Sequence, residues 1–245
     1  MSAAACVVDS LTVPPDEHGV RATLGSHTGT FFEQAVIECR PDRHLRRATD
    51  AFEEVHFVLA GHGRLHAAGG IHALDPECGV YLGPAQEYTL ESSGPGSELK
   101  LVSVRIPQAH SHGDVVVRRL ADQEAQNATA DREFRIVADP TTGLRSATHF
   151  VGYIPRKRAP EHFHTYDEVI YVLDGQGVFH TEDGHKPIGA GACIQLPART
   201  VHCLENTGED VMRVVAVFRP AGSPAAAYYP DGTPAYAGTP PSEAA

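Results

Sequence analysis

The feature that most constrains this chain is an internal repeat. Glu54-Val-His-Phe-Val-Leu-Ala-Gly61-His-Gly63 lies over Glu168-Val-Ile-Tyr-Val-Leu-Asp-Gly175-Gln-Gly177, a shift of 114 residues. The register persists beyond these segments. His66 falls on His180, Gly70 on Gly184, Leu74 on Ile188, and Pro84 on Pro197 with one residue deleted. Chance similarity between unrelated strands does not hold phase that far, so two tandem copies of one domain are expected. With 245 residues, each copy has enough chain to bury its own core.

Each copy reads as β-structure. The runs 31–39, 55–59, 99–106, 169–173 and 211–218 are short, rich in β-branched residues and bounded by Gly, Pro or Asp. Such strands at regular spacing predict a sandwich or barrel. A helix is expected only near 120–127, inside a polar connector. The predicted organisation is an N-terminal arm (1–24), a first barrel (25–108), the connector (109–132), a second barrel (133–220) and a Pro/Gly/Ala-rich tail (221–245). Two readings of the tail stand open: an extended segment packing Tyr228 and Tyr229 on a barrel wall, or a disordered end.

Charge narrows the partners. The formal net charge is −11, and the densest cationic clusters are Arg43, Arg46 and Arg47, and Arg156, Lys157 and Arg158. Nucleic acid is therefore not expected, because phosphate backbones are held by concentrated Lys and Arg. No stretch approaches the ~20 apolar residues of a membrane-spanning helix, and the first residues do not read as a signal peptide. Five cysteines without CxxC spacing argue against a disulfide framework and for a reducing cytoplasm. Exposed sheet faces would allow a homodimer.

Fifteen histidines are the unusual quantity. His162 and His164 are two apart, so on a strand both side chains aim at one face. Glu168 follows after a short turn and starts the next strand, where a hairpin can return it beside the pair. His202 follows a strand that runs from Gly191 to Pro197 and then a turn. Three imidazoles and a carboxylate suit one divalent ion, Fe, Mn, Ni, Co or Zn, with coordination positions left for substrate. Composition alone yields roughly one His-x-His pair by chance. His110 and His112 form such a pair in the connector, with Val116 where a carboxylate would be needed, and read as solvated loop.

These spacings resemble the two motifs of the cupin superfamily. The first is HxH, three or four residues, E, six residues, G, met here by His162, His164, Glu168 and Gly175. The second is G, five residues, P, x, G, two residues, H, three residues, N, met by Gly191, Pro197, His202 and Asn206. Arg156 and Arg199 stand where the motifs have glycine. The resemblance implies an all-β chain of two tandem jelly-roll barrels, a bicupin, with His162, His164, Glu168 and His202 as metal ligands. In the first barrel the shift places Ala48 and Asp50 at the histidine positions and Thr89 or Tyr88 at the last ligand, keeping only Glu54. One metal ion per chain is therefore expected, in the second barrel.

Around that centre, Arg158 is expected near the rim, where an arginine could hold a carboxylate or enolate. Gln195 is a candidate pocket residue. Ile170 and Val172 should form an apolar wall. The resemblance implies a small-molecule substrate and an oxygenase-type enzyme acting on an enol, diketone or carboxylate. The alternatives are a non-oxidative metalloenzyme (decarboxylase, isomerase, lyase or ureidoglycine aminohydrolase-like) and a metal- or ligand-binding protein without turnover.

Overall fold

The computed structural model describes residues 4–41, 43–93, 98–108, 114–129, 131–236 and 239. Among them no α-helix forms, only short 3-10 turns. The helix expected near 120–127 is one of these, Leu120–Asp122, and Gln123 then turns extended. Its few apolar residues make no helical stripe that packing could reward. No helix among the described residues is long and apolar enough to cross a membrane. The pair His110 and His112 lies outside the described residues.

The strands of the first half are β1 (Cys6–Asp9), β2 (Val20–Leu24), β3 (Glu33–Cys39), β4 (His44–Ala48), β5 (Phe52–Ala60), β6 (Gly63–Ala67), β7 (Gly70–Leu74), β8 (Cys78–Leu82), β9 (Glu87–Ser92), β10 (Leu99–Pro107) and β11 (Val115–Arg119). Those of the second half are β12 (Gln126–Thr129), β13 (Arg132–Ala138), β14 (Thr148–Ile154), β15 (Asp167–Asp174), β16 (Gln176–Thr181), β17 (Gly184–Gly189), β18 (Ala192–Leu196), β19 (His202–Asn206) and β20 (Met212–Arg219).

The chain divides into two compact units, each a jelly-roll type barrel. One comprises Ser10–Gln123 and Val137–Ala147. Its sheets run β11-β8-β5-β10-β3-β2 and β4-β9-β6-β7. The other comprises Met1–Asp9, Glu124–Ile136 and Thr148–Ala245. Its sheets run β1-β18-β15-β20-β14-β13-β12 and β17-β16-β19. The shift of the repeat lays β5 on β15, β8 on β18 and β10 on β20, and the strand orders agree accordingly.

That agreement extends into stretches expected as arm and connector. From the 1–24 stretch, β1 pairs antiparallel with β18, Cys6 opposite Gln195 and Asp9 opposite Ala192. From the 109–132 stretch, β11 pairs with β8 in the same way, Val115 opposite Leu82 and Arg119 opposite Cys78. The segment preceding each barrel in the chain thus closes a sheet of the other. An open sheet edge exposes unpaired N–H and C=O groups, and a docked strand satisfies them.

Alternation builds the second core. Ile170 and Val172 on β15, Ala192, Ile194 and Leu196 on β18, and Met212, Val214, Ala216 and Phe218 on β20 pack into one buried cluster. Each fully buried aliphatic side chain contributes about 1.5–3 kcal/mol. Gly175 ends β15 with φ 87°, and a Cβ there would meet Met212 Cα at 2.8 Å. Only glycine suits such a turn. The repeat has Gly61, also at positive φ, in the same place.

In the tail, the described residues include Tyr228, which is buried. Phe163 N–H donates to Tyr228 O at 2.8 Å, and Tyr228 N–H returns the bond to Phe163 O at 2.9 Å. Tyr229 is exposed.

Candidate metal centre

Backbone pairing on two sides aligns the histidines. On one side His162 N–H donates to His202 O at 3.0 Å and His202 N–H to His162 O at 2.8 Å. On the other, Phe163 pairs with Tyr228 as described. Strand alternation then sends His162 and His164 inward together. The turn after Pro197 helps, because Arg199 N–H donates to His164 O at 2.7 Å. The ring centroids stand 4.6 Å apart for His162 and His202, 5.0 Å for His162 and His164, and 5.3 Å for His164 and His202.

Each imidazole is held by its Nδ1. The acceptors are Pro160 O at 2.8 Å for His162, Ala226 O at 2.7 Å for His164 and Thr200 O at 2.9 Å for His202. A ring that donates from Nδ1 to a carbonyl keeps its lone pair on Nε2. The three rings can thus offer one donor atom each, all within 4.8 Å of one another. His164 also stacks on Tyr166, with centroids 4.6 Å apart.

Burial disfavours charge at this site. Burial lowers the pKa of His162, drives His164 down to about 3, and takes His202 well below the imidazole range. Burial also pushes Glu168 up to about 8. Glu168 lines the same cavity as the three rings, although only the histidines form the tight group. Among the described residues no side chain donates a hydrogen bond to its carboxyl group, so desolvation alone sets its proton affinity. Three neutral imidazoles with inward lone pairs and a desolvated carboxylate fit a divalent ion.

The cavity measures about 100 Å³, and its apolar wall includes Phe134, Phe150, Ile154, Ile170, Leu204 and Val214. Among the residues without a predicted role that also line it are Arg132 and Tyr236. Arg132 shares strand parity with Phe134 and Ile136, both packed on the core. That parity was legible in the sequence, but it fell at the connector boundary. Tyr236 comes from the tail, where no periodic signal exists; its ring lies 6.4 Å from that of His162.

Arg158 and Gln195 are placed elsewhere. The bridges Arg158↔Glu205 and His162↔His202 differ in register by one residue, so alternation does not carry from 158 to 162. Arg158 ends on the surface, donating to Cys203 Sγ at 3.4 Å and pairing with Glu161 at 3.2 Å. Gln195 sits opposite Val169, one step out of phase with the inward pair Ile170 and Ile194. Its amide donates to Ala4 O at 3.1 Å. Neither residue lines the cavity of the three histidines.

The first barrel answers the same position differently. Register places Arg47 opposite Tyr88, as His162 stands opposite His202. The simple shift, which selected Ala48, is therefore one residue out. Arg47 Nε donates to Tyr88 Oη at 2.9 Å and Nη2 to Glu54 Oε1 at 3.4 Å. Ser103 Oγ donates to the same oxygen at 2.7 Å, and Arg105 Nε lies 3.8 Å from Oε2. A covalently attached guanidinium thus supplies the positive charge beside Glu54. His56, fully buried beside Glu54, is driven down to about 4 by desolvation. His66 and His180, matched by the repeat, pair alike with Glu91 at 2.9 Å and Glu205 at 2.8 Å, which explains both by the fold.

Comparison with known proteins agrees with this architecture. Residues 1–154 match the model of the AraC-binding-like domain, and residues 149–218 that of the Cupin domain. Auxin-binding protein 1 of Arabidopsis thaliana is 32% identical over 78 residues, covering 28% of this chain and 39% of that protein. The chain thus spans well under half of that relative. Among solved structures, YlbA from E. coli has a TM-score of 0.73 at 12% identity, over 89% of this chain and 92% of that one. An oxalate decarboxylase–formate complex from Lactobacillus farciminis reaches 0.70 at 13% identity, over 87% and 86%. Bacillus subtilis oxalate decarboxylase, described with Mn(II) centres, reaches 0.69 at 12%, over 89% and 78%. At these identities the likeness is one of fold.

Proposed function

The chain belongs to the AraC-binding-like domain family and, through its two barrels, to the cupin superfamily, and from that premise we propose that it is a mononuclear metal-dependent enzyme of the oxygenase type. Its substrate is a small oxygen-rich molecule, an enol, diketone or carboxylate, taken up in the C-terminal barrel. One observation carries the reading: three imidazoles, two buried and one half-buried, each fixed through Nδ1 to a backbone carbonyl, converge beside Glu168 on a mostly apolar cavity.

His162, His164 and His202 would hold one Fe, Mn, Ni, Co or Zn ion, with Glu168 as the anionic ligand. Bound there, such an ion polarises a chelated oxygen substrate and, if redox-active, brings it together with O₂. The chain does the rest. Phe134, Phe150, Ile170 and Leu204 keep water from the substrate, and Tyr166 supports the His164 ring. The proposed partner is the small molecule alone, with neither nucleic acid nor membrane, and the proposed compartment is the cytoplasm.

Substrate-dependent O₂ uptake by protein loaded with Fe(II) tests this reading, with elemental analysis giving the metal content. Uptake with an enol or diketone is expected, at about one metal ion per chain. No uptake across such substrates would sink the oxygenase reading. The fold shared with Mn(II)-containing oxalate decarboxylase supports a second reading, non-oxidative breakdown of a small carboxylate. CO₂ release without O₂ uptake is its signature.

A further inference from the structure

The cavity carries a cation that the metal chemistry does not use. Arg132 opens β13 on the same face as Phe134 and Ile136, which pack on the barrel core. It lines the cavity together with His162 and His202. One of its nitrogens, Nη2, donates to Leu204 O at 3.0 Å. Its neighbours are paired: Lys157 with Asp131 at 2.6 Å, and Arg158 with Glu161 at 3.2 Å. No ion pair to Arg132 is recorded among the described residues. Glu133, also at the cavity wall, is exposed.

A partly buried guanidinium bonded to one carbonyl retains N–H donors, and its planar fork matches a carboxylate bidentately. Charge points the same way. A divalent ion offset by Glu168 leaves a positive site, and Arg132 adds to it. The cavity of about 100 Å³ suits a small molecule. Arg132 and Tyr236 also line a surface depression with Asp131, Lys157 and Arg158, where Lys157 and Arg158 are already ion-paired and Arg132 is left to meet an anion.

We infer that Arg132 is the anion anchor of this cavity, and that the substrate is a small carboxylate whose second oxygen faces the histidines. The second contact rests on the metal-centre reading proposed above; the first does not. The chemical role expected of Arg158 thus falls to another arginine, brought in by a different strand.

Calorimetric titration of pyruvate and its neutral analogue pyruvamide tests the inference, in metal-free and in Zn(II)-loaded protein. Wild type should bind pyruvate more tightly in both forms, by about tenfold or more. Arg132→Gln should abolish that preference while zinc content and circular dichroism stay unchanged. If the glutamine variant fails to fold, Arg132→Met, which keeps an unbranched apolar stem, replaces it. Equal affinities in wild type, or an undiminished preference in the variant, would overturn the inference. So would loss of zinc in the variant, which would make Arg132 a support of the histidines instead. Wild type that takes up no zinc yet prefers pyruvate would count against the metal centre and leave the anchor standing.

Discussion

At the scale of single residues, the two barrels present one problem, a carboxylate on the inner face of a strand, solved in two ways. Glu54 is fully buried and has Arg47 and Arg105 beside it. Removing a partner from a buried ion pair leaves an uncompensated charge, so Arg47→Leu should lower stability by about 3 kcal/mol. Urea unfolding measures it, and a loss near zero would mean that Arg105 suffices. Among the described residues no cation stands beside Glu168 in this way, and burial pushes it up to about 8 from an ordinary 4.5. The folded metal-free protein therefore holds a proton that the unfolded chain releases, and this contribution is lost as pH rises from about 4.5 through about 8. The lowered histidines act oppositely, costing stability as pH falls below their ordinary 6.5. Glu168→Gln isolates the carboxylate: in metal-free protein its melting temperature should gain on wild type between about pH 5 and pH 8. A gap that does not change with pH would show that Glu168 is not desolvated as described. Metal binding near neutral pH should release a proton from Glu168, read by calorimetry in buffers of different ionisation enthalpy.

Among the elements, the turn before β19 sits between His164 and His202 and helps to place both. Arg199 occupies the position where the motif has glycine, and it takes φ 64°. Ala85, its counterpart in the first barrel, has φ 60°. A left-handed conformation costs a residue with a Cβ about 1–2 kcal/mol, partly offset by the extra freedom glycine has when unfolded. Arg199→Gly should therefore stabilise the metal-free protein by about 0.5–1 kcal/mol, with metal content unchanged because His164 is held there by the backbone N–H. Thermal unfolding checks the gain, and a loss would show that the Arg199 side chain contributes more than its backbone strain costs. Register matters as much. The one-residue slip between Arg158↔Glu205 and His162↔His202 separates a surface arginine from two inward histidines. Strand parity predicts neighbours only where the ladder is unbroken.

For the molecule as a whole, folding is expected not to depend on metal. The second core, from Ile170 to Phe218, is apolar and does not draw on the ligands. His202→Ala should cut metal content from about one per chain to below about a tenth while circular dichroism stays native, in contrast to domains that need metal to fold. Full retention of metal would refute His202 as a ligand. The repeat, the β-class, the two barrels and the three histidines and Glu168 around one cavity were legible in the sequence, because alternation and motif spacing are local and recur at a constant shift. What the tertiary structure decided was non-local. Strand register chose Arg47 rather than Ala48 as the counterpart of His162, and turned Gln195 to the other face. Strand pairing across long separations docked β1 on β18, and it made wall residues of Arg132 and Tyr236. A linear pattern states which residues share a face, but only the pairing of distant strands states which faces meet.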